Sequence, residues 1–141
     1  MSDLIRLLSV SDAALDLGQV YAAVDDPAAG GIAVFVGTVR QVDGGKRVTR
    51  LDYTAHPSAE AVLSSVADDI VAKYDVIALA AVHRVGSLEI GDVAVITAVS
   101  CAHRGDAFDA CRALIDDLKL RLPVWKHQIF ADGTEEWVGT P

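Results

Sequence analysis

Between Ser100 and Gln128 the sequence collects side chains that can hold or move charge: His103, Arg104, Lys119, Lys126 and His127. The chain as a whole carries a formal net charge of −8. A cationic knot in so acidic a protein predicts a site for an anion, built for a ligand rather than for a basic surface.

The spacing proposes how such a site would be held. Val93 to Ser100 is a continuous apolar, β-branched run and reads as a buried strand. It passes through Cys101-Ala-His-Arg-Gly-Asp into a helix that stops before Pro123. At about 100° per residue, Phe108, Cys111, Ile115, Leu118 and Leu122 share one apolar face. Lys119 lands about 20° from Phe108 by the same geometry, inside that face. An ammonium there loses hydration, which lowers its pKa unless an anion sits beside it. The plainer alternative is a stem packed on the core with its head reaching water. Lys126 and His127 follow within a few residues and favour a site. At the other end, the free N–H groups of the helix start, with His103 and Arg104 beside them, suit a phosphate or carboxylate. Ordinary capping, with Asp106 near the helix start, is the alternative there.

Other chemistry finds less support. Cys101 lies two residues from His103, so a thiol nucleophile is conceivable, but no third orienting group is evident. Cys111 belongs to the apolar stripe. The four histidines show no metal-binding spacing, and no GxGxxG or Walker pattern occurs, so neither metal nor cofactor is expected. Arg40 closes an apolar strand much as His103 and Arg104 do, and joins the candidate anion site. Arg84 reads as an ordinary surface charge. Trp125 and Trp137 read as packing anchors of a final hairpin.

The elements that must position these groups follow in order. Leu4–Val10 is a strand, Leu15–Val24 a short helix, and Gly31–Val39 a buried strand ending at Arg40. Asp43-Gly-Gly-Lys is a turn, after which Arg47–Ala55 pairs back as a hairpin. Pro57 opens a helix whose core stripe is Val62, Val66, Ile70 and Tyr74. Val76–Val85 is a strand, and Gly86–Asp92 a turn-rich link to Val93. Val124–Phe130 and Glu135–Val138 close the chain as a hairpin over Asp132-Gly133. Strand–helix alternation combined with hairpins predicts an α+β, or mixed α/β, fold with about three helices. At 141 residues one domain, 1–141, is expected. With 52% hydrophobic residues the chain can fill a core and leave some apolar surface for a subunit interface. A pI near 4.7 disfavours nucleic acid and anionic membranes. No apolar run is long enough to span a bilayer, and no leader is evident at Met1, so a cytoplasmic protein is expected.

Taken together, Phe35-Val-Gly-Thr-Val-Arg40, His83-Arg-Val-Gly86 with Gly91-Asp92, Ser100-Cys-Ala-His-Arg104, Leu118-Lys119 and Leu122-Pro-Val-Trp-Lys126 resemble the large, catalytic subunit of molybdopterin synthase, the MoaE family. The resemblance covers about Gly31 to Val138. It implies a hammerhead-like domain and sulfur transfer to cyclic pyranopterin monophosphate (precursor Z), giving molybdopterin. The sulfur would come from a thiocarboxylate on the C-terminal glycine of a small ubiquitin-like carrier subunit. A homodimer at the centre of a heterotetramer is implied too. By position, Thr38, Val39, Arg40, His103 and Arg104 would bind substrate. Lys119 and Lys126 would be catalytic and also line the pocket, with His127 and Gln128 adding contacts. Because sulfur arrives from the partner, Cys101 need not react. Thr38 stands where many members carry lysine, Tyr53-Thr-Ala-His56 replaces the common Tyr-Glu-Ala-Tyr, and several relatives run on past the position of Pro141 in a charged tail. A non-catalytic scaffold binding the pterin phosphate and the small subunit is the alternative.

Overall fold

The computed structural model describes residues 2–139. Its first sheet has the order β1 (Ile5–Ser11), β5 (Ala78–Arg84), β7 (Val93–Cys101), β2 (Gly31–Thr38). β1 runs parallel to β5, and the other two pairings are antiparallel. Helices cover both faces, which is why β5 and β7 read as largely apolar runs rather than alternating ones. Alternation still sorts their side chains. Ala78, Ala80, Val82, Ile96 and Ala98 meet Val20 and Val24 of α1 (Leu17–Val24). Leu79, Ala81, Val95 and Val99 face the opposite way, onto α2 (Ala59–Lys73) and α3 (Arg104–Arg121).

The second sheet runs β3 (Val42–Asp43), β4 (Lys46–Ala55), β8 (Val124–Phe130), β9 (Glu135–Gly139), with β6 (Gly86–Leu88) also paired to β4. Gly44 and Gly45 have φ of 57° and 79°, the left-handed pair that a two-residue turn between β3 and β4 requires. Val39, Leu51, Leu88 and Ala94 fill the junction between the two sheets. The α+β class and the three helices are as expected.

Three local expectations change. β4 pairs back only with the two residues of β3; its long partner is β8, a contact across about seventy residues or more that no local pattern announces. The Gly86–Asp92 link contains β6. Pro57 precedes the N-cap Ser58 instead of opening α2, and the buried stripe of that helix is Ala59, Leu63, Val66, Ala67 and Ile70, with Val62 and Tyr74 at its margin.

Candidate functional site

The stripe of α3 is turned from the expected phase. Ala107, Ala110, Cys111, Leu114 and Leu118 are buried, whereas Phe108 is 66% exposed. Phe108 and Lys119 do share a direction, but it is the flank of the buried stripe. Lys119 therefore sits where helix, cavity and solvent meet, and not within the core. Burial, and secondly the neighbouring Lys126 ammonium, hold it below the ordinary lysine range, although much of its surface is open.

The β4–β8 register supplies the opposite wall. Tyr53 lies across from Lys126, and Leu51 across from Gln128, so these four side chains share one face of the sheet. Two cavities meet there, of about 340 Å³ and about 180 Å³, and Tyr53, Lys119 and Lys126 line both. The larger is closed by Thr38 at the end of β2, by Val39 and Arg40 just after it, and by Asp43 and Gln128. Three cations against one carboxylate leave it positive. Arg40 reaches Asp43 at 3.0 Å, and Gln128 Nε2 donates to the other Asp43 oxygen at 2.6 Å. That amide, then the Lys126 and Arg40 charges, holds Asp43 below the usual carboxylate range. The smaller cavity has mostly apolar walls, Leu118, Leu122, Val124 and Val138, with His83 at its base.

Thr38, Arg40, Lys119, Lys126 and Gln128 are thus brought together. Val39 contributes only wall: its side chain is buried in the junction, and its N–H and carbonyl are bonded to Asp92 and Gly91. His127 is turned away from the cavities, because neighbouring residues of a strand point to opposite faces. It stacks on Trp137, with ring centroids 4.3 Å apart, between Asp52 and Glu135. Trp137, 65% exposed, thus packs within the closing β8–β9 hairpin, as a cover over the ring of its cross-strand partner.

His103 and Arg104 do not join the site within one chain. The antiparallel register sets Gly31 against Cys101 and Thr38 against Val93, so the start of α3 lies at the opposite end of β2 from Arg40, with about 23 Å of strand between Gly31 and Thr38 at ~3.3 Å per residue. The length of α3 separates Arg104 from Lys119 by about 22 Å. Cys101 is fully buried, and burial, then the Asp106 and Asp75 charges, pushes its thiol up, opposite to what a nucleophile needs.

Sequence reasoning missed Asp43, Tyr53 and His83. The first two depend on the β4–β8 pairing. His83 did carry a signal, a lone titratable ring that follows five Ala, Leu and Val residues in a strand ending at Arg84.

Residues 10–121 match the family model described as MoaE protein. The chain is 42% identical over 131 residues to molybdopterin synthase catalytic subunit 1 of Mycobacterium tuberculosis, covering 92% of this chain and 88% of that one. It is 41% identical over 135 residues to the molybdopterin synthase catalytic subunit of Halalkalibacterium halodurans, covering 95% and 86%. The crystal structure of molybdopterin synthase from Staphylococcus aureus superposes with a TM-score of 0.86 at 33% identity, over 92% of this chain and 95% of that chain. No helix among the described residues is long and apolar enough to cross a membrane.

Proposed function

Because the chain belongs to the MoaE protein family, we propose that it is the catalytic subunit of a cytoplasmic molybdopterin synthase and acts there as a sulfurtransferase. It takes sulfur from the C-terminal thiocarboxylate of a small ubiquitin-like subunit and passes it to precursor Z. The observation that carries this is the pair of cavities with a common wall of Lys119, Lys126 and Tyr53. The larger, cationic one suits a phosphorylated pterin, with Arg40 leaving Asp43 to pair with phosphate. The smaller suits an extended peptide tail entering from the β9 side. Sulfur and its acceptor then meet at the two ammoniums. There, Lys119 stabilises charge that develops as the thiocarboxylate attacks, and its lowered pKa brings proton exchange closer to working pH.

His103 and Arg104 enter this reading through a second copy. β2 is an edge strand, and Val34, Phe35 and Phe108 are exposed beside it, an apolar patch unusual on a free monomer. A two-fold axis across that edge runs the two β2 strands antiparallel. The Gly31 end of one copy, with its His103 and Arg104, then faces the Arg40 end of the other. Each larger cavity would be completed by its neighbour.

The test is turnover with thiocarboxylated small subunit and precursor Z. Molybdopterin should form, and Lys119→Ala should slow its formation at least about a hundredfold while fold and small-subunit binding persist. Near-normal turnover by that variant would defeat the assignment. Binding of both ligands by the unsubstituted protein without conversion would favour the scaffold.

A further inference from the structure

His83 has no part in the scheme so far, yet it is the most constrained polar group of the smaller cavity. It is 3% exposed. Its Nδ1 lies 2.7 Å from the Arg84 carbonyl oxygen, and a carbonyl can only accept. Nδ1 therefore carries the proton, and Nε2 keeps a lone pair. Burial, with the Lys119 charge in the same direction, lowers its pKa to about 4, so the ring is neutral at pH 7. The Tyr53 ring meets it edge-on, with centroids 4.9 Å apart and planes at 88°, which fixes how the imidazole stands. No described residue hydrogen-bonds Nε2, and that nitrogen is not fully sealed from solvent. It opens into the cavity that Lys119 and Lys126 also line.

A peptide ending in a carboxylate or thiocarboxylate presents two unlike needs in such a space. Its terminal group only accepts, and both ammoniums donate to it. The backbone N–H just before that group needs an acceptor, or it is buried unsatisfied. Among the side chains lining this cavity, the neutral imidazole offers the acceptor that cannot also donate; Tyr53 can do either, and the lysines only donate. Resting on the assignment of this cavity to the partner's tail, we infer that His83 Nε2 accepts a hydrogen bond from the last backbone N–H of the entering peptide and so aims its terminal group at Lys119 and Lys126. His83 is then a positioning residue, and it fixes the depth to which the tail enters.

Two substitutions separate this role from a structural one. His83→Asn retains a donor for the Arg84 carbonyl and removes the cavity-side acceptor. His83→Gln places an amide oxygen near the position of Nε2. The probes are a short synthetic peptide ending in Gly-Gly with a free carboxylate, and the same peptide N-methylated at its last peptide bond, titrated calorimetrically into the full chain. His83→Asn should bind the unmodified peptide about tenfold more weakly, and His83→Gln nearly as well as the unsubstituted protein. N-methylation should weaken binding to the unsubstituted protein and to His83→Gln but leave His83→Asn little changed. If His83→Gln is the weaker binder, or if N-methylation acts equally on all three proteins, the inference is overturned while the tail assignment stands. If the unsubstituted protein takes up neither peptide, the tail assignment falls and this inference with it.

Discussion

An imidazole whose pKa is lowered from 6.5 to about 4 makes the protein acid-sensitive through a single residue. In the unfolded chain His83 takes up a proton near its ordinary pKa, whereas in the fold it does so only near 4. Between those values the unfolded state binds more protons. Stability is therefore full above about pH 6.5, falls as pH drops through the window, and has lost about 3 kcal/mol by pH 4 on this account. His83→Asn removes the titrating group, so its urea-derived stability should fall by about 2–3 kcal/mol less than that of the unsubstituted protein between pH 7 and pH 4.5. Asp26, Asp43 and Asp132, whose pKa values are lowered, titrate in both proteins alike. Matching pH dependences would exclude His83 as the source. Arg40 poses a different question at the same scale, since it is an exposed guanidinium held by Asp43 at 3.0 Å. Arg40→Ala should weaken precursor Z binding about tenfold or more and slow sulfur transfer from the bound state much less. Unchanged affinity in calorimetry would remove Arg40 from the phosphate site.

The start of α3 shows how tightly one element can be set against another. A Cβ on Gly30 would collide with the Ala102 carbonyl oxygen, and one on Gly31 would come within 3.0 Å of the Arg104 Cα. The edge strand β2 is thus pressed onto the helix start. Gly30→Ala should cost about 1–3 kcal/mol in denaturant unfolding. Gly105→Ala, which meets nothing within 4 Å, should be neutral or stabilising by up to about 1 kcal/mol. Equal effects of the two would show that the strand yields. The same helix marks what its sequence could reveal. Cys111, Ile115, Leu118 and Leu122 announce an amphipathic helix, and its ends follow from the Asp106 side and Pro123. Its rotation does not follow from the same pattern, because Phe108 has the character of core yet belongs to an exposed patch with Val34 and Phe35. Periodicity reports which residues avoid water, not which of two apolar surfaces they serve.

For the molecule as a whole, the cationic residues were legible and their grouping only partly so. Lys119, Lys126 and Arg40 do converge, through pairings of β4 with β8 and of β2 with β7 that lie far apart in sequence. His103 and Arg104 belong to the same chemistry in the resemblance, yet one chain holds them at the far end of β2, about 23 Å of strand away. A two-fold across the β2 edge reconciles these facts, and it predicts something that no single-chain site allows. Lys119→Ala and Arg104→Ala should each be inactive when made of one variant throughout. In a dimer formed from one copy of each, one site carries both defects and the other carries none. Mixing the two variants under conditions that let subunits exchange should therefore restore up to about a quarter of the unsubstituted rate, by random pairing in an isologous dimer. Phe108→Asp, introduced at the apolar patch in both variants, should abolish that rescue and yield monomers in sedimentation. If the mixture stays inactive although mass spectrometry finds mixed dimers, the sites are not shared across the two-fold, and Arg104 acts at its own end of the sheet.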